Sequence, residues 1–317
     1  MPELQQKFLP VRMSTLRGDD RINFDVYLPL RGKQVLYIRK GDNFEGERLV
    51  RLKAKKLKKL YIVEEDEPNY REYVQTLLTS AYDPSSPKSL DLRADIIQGA
   101  NQGATEDVLE SPENEMFYNI AKEGAEKFVK FLQEEPNAMA PITRIANLDG
   151  NIAHHGVTVA TLALGVAAKL GLQDPKFLQM LALGAFLHDF GHTIQKLDIN
   201  KPLADFGPTE MTLYKSHPRL GAEHVQGLKH FDSVVVQIIM QHEEKTNGSG
   251  YPKGLKESEI RDEAVIVGIA NGLDRLVAFE GKSIQEAAKI FYVDAMGKYP
   301  LDHLNALREV IKSQNTA

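Results

Sequence analysis

Leu187-His188-Asp189-Phe190-Gly191-His192 closes an apolar run from Phe177 to Leu187 that reads as a buried helix. An imidazole and a carboxylate side by side at the end of such a helix are costly unless they are paired or bound to a metal. Together they make a natural corner of a metal site. The neighbouring sequence extends the pattern, with His155 before it, His217 after it, and then His242-Glu243. All lie on or near helical segments, within a length of chain that one helical core can hold. His242-Glu243 ends the apolar stretch Val234 to Met240 just as His188-Asp189 ends its own. Two apolar helices that each end in a ligand-capable pair predict a shared polar pocket in a bundle. Helical spacing puts His188 and His192 on one face if the helix continues, and pairs Asn151 with His155 and Asn271 with Asp274. His217-Pro218 reads as a helix start. A single histidine is more simply a surface or hydrogen-bonded core residue, and His154, His224, His230 and His303 are read that way. The other residues, taken together, predict a site.

Composition bounds the chemistry. The chain has 317 residues, 42% hydrophobic and 26% charged, which fits a soluble globular protein of about two domains. A net charge of −5 gives no general attraction to nucleic acid, and no DNA partner is expected. No apolar run is long enough for a bilayer, and Met1-Pro2-Glu3-Leu4 lacks a signal-peptide pattern, so a cytoplasmic location without membrane contact is expected. Cysteine is absent, which excludes disulfides and thiolate metal sites. A metal here must rest on His, carboxylate, amide or water, a set suited to iron, manganese, zinc or nickel.

The fold class expected is mainly α, with residues 1–66 forming a small α+β N-terminal domain of regulatory or docking type. Phe24–Leu28, Gln34–Arg39 and Leu60–Val63 read as strands, with Arg31-Gly32-Lys33 a turn. Glu47 to Lys59 reads as a helix whose basic run offers a phosphate-binding surface or a solvated face. Residues 67–110 read as a connector, broken at Asp83-Pro84-Ser85-Ser86-Pro87 and weakened at Gln98-Gly99-Ala100-Asn101-Gln102-Gly103. From residue 111 to 317 the pattern is nearly all helix, opened by Ser111 as cap and Pro112 in the first turn. Asn247-Gly248-Ser249-Gly250-Tyr251-Pro252 is a loop, in which Tyr251 either packs against a helix or touches a ligand.

The segments His155-Gly156, His188-Asp189-Phe190-Gly191, His217-Pro218, His242-Glu243-Glu244, Gly250-Tyr251-Pro252 and Ala270-Asn271 keep an order and spacing that resemble the HD-GYP family of bacterial cyclic di-GMP phosphodiesterases. The resemblance implies an all-helical domain holding two metal ions, iron or manganese. It implies His155, His188, Asp189, His217, His242, Glu243 and Asn271 as metal ligands, and Asp189 and His192 as catalytic groups. Gly250, Tyr251, Lys253 and Lys282 would meet a cyclic dinucleotide. A signalling partner would dock on the N-terminal domain. Several positions depart from the family pattern. His192 stands for a lysine, Glu243 for a second histidine, and Asn271 and Asn247 for aspartates. Asn151 stands where a third metal would need a carboxylate, and the basic stretch after the last motif is missing. Two readings follow: a working metal-dependent phosphodiesterase, or a weak or inactive domain that serves as a metal-containing nucleotide-binding or protein-interaction module.

Overall fold

The computed structural model describes residues 6–16, 20–43, 51–52, 55, 57, 59–145, 147 and 150–314. The chain divides into two compact units, Met1–Gly103 and Ala104–Ala317. The helix expected over Glu47–Lys59, with its basic run, lies almost entirely outside the described residues.

The first unit carries β1 (Phe8–Arg12), β2 (Val26–Leu30), β3 (Lys33–Ile38) and β4 (Lys59–Val63). They form one antiparallel sheet in the order β1-β4-β2-β3. The β2–β3 hairpin turns through Arg31 and Gly32, both at positive φ, which is the backbone twist a two-residue hairpin favours. The sequence pattern does not single out strand β1, and its Pro10 is tolerated because β1 is an edge strand of the sheet. Phe24 packs edge-on against Tyr70 and Tyr73 of α1 (Glu67–Tyr82). Within residues 67–110, read from the sequence as a connector, α1 is followed by α2 (Leu90–Glu110), and the weak point expected around Gln98–Gly103, with Gly99 and Gly103, lies inside that helix. Two glycines cost a helix about 1 kcal/mol each, and burial of Ala94, Ile96, Ile97 and Val108 outweighs that.

The second unit continues with α3 (Glu115–Glu134), α4 (Met139–Arg144), α5 (Ile152–Lys169), α6 (Pro175–Leu187) and α7 (Pro208–Val225). Then come α8 (Ser233–Gln241), α9 (Asp262–Ala278), α10 (Ile284–Ala295) and α11 (Leu301–Gln314). Among the described residues no helix is long and apolar enough to cross a membrane. Ser111 does not cap α3. The turn Ser111–Glu113 precedes it, and Asn114 accepts the Met116 amide at 3.1 Å. From Met180 to Leu187 helix α6 is apolar and buried on every side, and it packs against α3, α5, α8 and α9, as an all-round hydrophobic segment must. Asp174 caps its start by accepting the Phe177 amide at 2.7 Å. Its far end therefore points His188 and Asp189 into the middle of the bundle.

Phe186, 1% exposed and packed on Phe128, anchors that end. Phe186→Ala is expected to cost about 3–5 kcal/mol, read as a lowered midpoint in chemical denaturation of the intact chain. A midpoint unchanged within error would mean that α6 is not the packing centre.

Candidate metal centre

Helix α6 stops at Leu187, and a tight turn from Phe190 to Thr193 follows. His188 and His192 therefore do not share an α-helical face, contrary to the sequence expectation. The turn instead folds His192 back, with its amide on the Asp189 carbonyl at 3.0 Å and its Nε2 3.9 Å from Asp189 Oδ1. Gly191 permits this, since a Cβ there would fall 1.9 Å from the His217 carbonyl oxygen.

His217 also differs from the expectation: it lies within α7, with Pro218 inside the helix rather than at its start. Proline has no N–H to give the carbonyl four residues back. The Tyr214 carbonyl is thereby left to accept His217 Nδ1–H at 2.6 Å. The same local geometry recurs at two helix ends, where carbonyls also lack ladder partners. His188 Nδ1 meets the Ala185 carbonyl at 2.7 Å, and His242 Nδ1 meets the Ile239 carbonyl at 3.0 Å. A carbonyl can only accept, so each Nδ1 carries the proton and each Nε2 presents a lone pair.

Those lone pairs converge on one carboxylate. Asp189 Oδ1 lies 3.5 Å from His188 Nε2, 3.3 Å from His217 Nε2 and 3.6 Å from His242 Nε2. Asp189 Oδ2 lies 3.6 Å from His155 Nε2. The result is two buried triads that share Asp189: His155 with His188, and His217 with His242. His155 is aimed by Asp274, whose Oδ2 accepts Nδ1–H at 2.6 Å, the carboxylate–imidazole pairing typical of metal-ligating histidines.

The donor set fits metal ions on two grounds. His217 and His242 bring their Nε2 atoms within 2.9 Å of each other, although each Nδ1 already holds its proton. Two lone pairs at that distance repel unless a cation lies against both. His188 Nε2, fully buried, has no hydrogen-bond partner, a costly state for a polar atom. Burial pulls the His188 imidazolium down to about 3, so the ring stays neutral and free to ligate. Burial alone would raise the Asp189 carboxyl, but the imidazoles around it hold it well below the usual range. Burial disfavours protonation of His155, yet Asp274 and Asp189 outweigh it and raise its pKa.

The other expected site residues fall into two groups. Asn271 bridges the centre, with Oδ1 3.0 Å from His155 Nε2 and its amide donating to Glu243 at 3.2 Å. Glu243 belongs to neither triad; its carboxylate faces Asn271 and lies 3.8 Å from Lys245. The Tyr251 ring joins the apolar cluster of Ile199, Tyr214 and Phe279. Burial first, and the nearby Glu243 second, push its phenol well above the usual value. His192 stacks on His217 with ring centres 3.9 Å apart, and its Nδ1 is buried without a hydrogen-bond partner. Gly250 serves close approach, because a Cβ would fall 2.3 Å from the Lys245 backbone nitrogen. Lys253 gives its amide to Glu244 at 2.7 Å while its side chain is exposed. Lys282 donates its backbone amide to the Leu276 carbonyl, in the turn between α9 and α10. Asn151 caps α5 through Oδ1 and gives its amide to Glu106 at 2.7 Å.

Sequence pattern did not single out Tyr214, Lys245 or Arg275. Tyr214 precedes His217 by three residues, a helical spacing that could have flagged it, and its ring lies 5.2 Å from both His192 and His217. Arg275 Nε donates to the Tyr214 hydroxyl at 3.0 Å, and its Nη1 pairs with Glu280 at 2.8 Å. No sequence signal distinguishes Lys245 from a surface lysine.

These shifts set a pH dependence for chelator-treated protein. Between about 6.5 and 3 the unfolded chain binds a proton at His188 that the folded chain refuses, so stability rises with pH across that window. His192 is also lowered and acts in the same direction. His155, raised, acts oppositely and only as pH climbs above its ordinary value. The melting temperature is expected to fall steadily as pH is lowered from about 6.5 to about 4.5, with a shallower slope in His188→Gln. A flat profile in the parent protein would contradict the buried neutral imidazole.

A family model described as HD domain matches residues 119–299. The solved structure of Bd1817, an HDG"Y"P protein from Bdellovibrio bacteriovorus, is 48% identical with a TM-score of 0.92, covering 96% of this chain and 100% of that one. The cyclic di-GMP phosphodiesterase PA4108 of Pseudomonas aeruginosa is 32% identical over 126 residues, 39% of this chain and 30% of that protein. The cyclic di-GMP phosphodiesterase response regulator RpfG of Xanthomonas campestris is 36% identical over 115 residues, 36% of this chain and 30% of that protein. A cyclic di-GMP phosphodiesterase of Thermotoga maritima is 29% identical over 159 residues, 47% of this chain and 42% of that protein. The matches thus span less than half the length of these curated relatives. The family match across the histidine-bearing helices and the near-complete overlap with Bd1817 place this chain in the HD domain family, among its HD-GYP members.

Proposed function

We propose that this protein is a metal-dependent phosphodiesterase that hydrolyses a cyclic dinucleotide, cyclic di-GMP, with two iron or manganese ions. The observation that carries the reading is the pair of buried triads joined through Asp189. Relatives named cyclic di-GMP phosphodiesterases supply the substrate class. His155 and His188 would hold one ion and His217 and His242 the other, with Asp189 common to both. Bound there, such ions supply Lewis-acid stabilisation of a phosphoryl group and acidify water near neutral pH. The chain's own part is orientation. Backbone carbonyls fix three imidazoles and Asp274 fixes the fourth. Tyr251 and its apolar neighbours limit water on one side, which strengthens electrostatics within. His192, with one nitrogen toward Asp189 and the other unpartnered, would meet a phosphate or its leaving oxygen. The N-terminal unit, which carries no comparable cluster among the described residues, serves as a docking or regulatory module for a signalling protein.

One observation favours the second reading, a binding module without turnover. Glu243 is engaged by Asn271 and Lys245 rather than by either triad, and Asn271 is a neutral donor where a carboxylate would bind more tightly.

The deciding experiment is anaerobic loading with iron or manganese, metal quantification, and a cyclic di-GMP hydrolysis assay. Wild-type protein is expected to hold about two ions and turn over substrate, and Asp189→Asn to lose metal and about 100-fold or more of activity. Asp274→Asn is expected to weaken metal binding about 10–100-fold, and Asn271→Asp to tighten it. Two bound ions with substrate binding but no turnover would establish the binding module instead. Near-zero metal in every preparation would refute both.

A further inference from the structure

Outside the metal centre, α10 and α11 leave a groove of about 620 Å³. Its floor is Leu304 and Ile311, both buried, and its walls are Val293, Met296 and Leu301, which are 82%, 61% and 60% exposed. Exposed apolar side chains clustered around a concavity mark an interaction site rather than scattered surface residues. The polar lining is one-sided: Lys289, Arg308 and Lys312 are exposed on it, and no acidic residue lines it. Among the described residues none of these three cations has a carboxylate within salt-bridge distance. Glu286, one turn before Lys289, has its carboxylate taken by the Ser283 amide and hydroxyl. Helix α11 lies beyond residue 299, where the HD domain match ends.

We propose that this groove receives an acidic amphipathic helix from a partner protein. A third helix laid between two amphipathic ones would bury the apolar walls through side chains at i, i+4 and i+7. Carboxylates flanking that stripe would meet Lys289, Arg308 and Lys312. A concave shape suits a helix better than a flat membrane surface.

The test uses the full chain and a fluorescein-labelled synthetic helix with Leu at i, i+4 and i+7 and Glu on both flanks, against a counterpart with Lys in place of Glu. Fluorescence anisotropy should show saturable binding of the acidic helix and about tenfold or weaker binding of the basic one. Val293→Asp and the pair Arg308→Glu, Lys312→Glu should each weaken the acidic probe about tenfold or more. All three positions are exposed, so unchanged melting temperatures in those variants confirm that the fold is intact. Absence of binding, equal binding of both helices, or indifference to these substitutions overturns the proposal. A concentration-dependent dimer that Val293→Asp dissociates assigns the groove to a second copy instead. Cosedimentation with phosphatidylglycerol vesicles that Arg308→Glu abolishes assigns it to a membrane surface, and either result refutes the partner helix.

Discussion

A carboxylate held away from water among imidazoles is the constraint on which the helical unit depends. Asp189 is buried, and the Nε2 lone pairs of His188, His217 and His242 face its Oδ1. Carboxylate and imidazoles alike need positive charge between them. The cluster is therefore incomplete as a set of protein groups alone, and the donor types present answer that need with hard or borderline metal ions. Packing that could have filled the centre with leucines instead encloses polar atoms, a cost that a structural core has no reason to bear.

The arrangement rests on a single backbone device used three times. At two helix ends and at one internal proline, a carbonyl released from the helical ladder takes the Nδ1 proton of the histidine three residues later. This fixes the tautomer and the ring direction without any side-chain partner. His155, in the first turn of α5, has no such carbonyl and relies on Asp274 of α9 instead. Fixing four rings by two different means brings rings from α5, α7, the end of α6 and the end of α8 onto one carboxylate. The close approach of those segments in turn requires Gly191.

Two of the departures from the family pattern, Asn271 and Glu243, are in direct contact. Asn271 reaches Glu243, Glu243 faces Lys245, and Tyr251 stands against Glu243. A neutral amide in place of a carboxylate removes one negative charge, while the glutamate brings one that Lys245 partly balances. The buried Arg275, bound to Tyr214 and Glu280, adds a cation on α9, the helix that also carries Asn271 and Asp274. Electrostatics at this site are thus redistributed rather than simply weakened, which keeps a phosphoryl-transfer role physically reasonable.

Much of this is legible in the residues themselves. The apolar runs ending in His188-Asp189 and His242-Glu243, the helical spacing and the lack of cysteine together determine a helical core with a histidine–carboxylate centre. Those signals are local, set by periodicity and residue chemistry. Strand β1 is not signalled by pattern, the helix through Gly99 and Gly103 is hidden by weak propensity, and the place of His217 by Pro218, because burial and edge position override local preference. Tertiary structure alone decided which atoms face which: that His155 meets Asp274 across 119 residues, that Glu243 turns to Asn271 and Lys245, and that α10 and α11 leave an open groove. Contacts between distant segments depend on how whole helices pack, and no pattern within a single helix encodes the direction in which its neighbour presents a side chain.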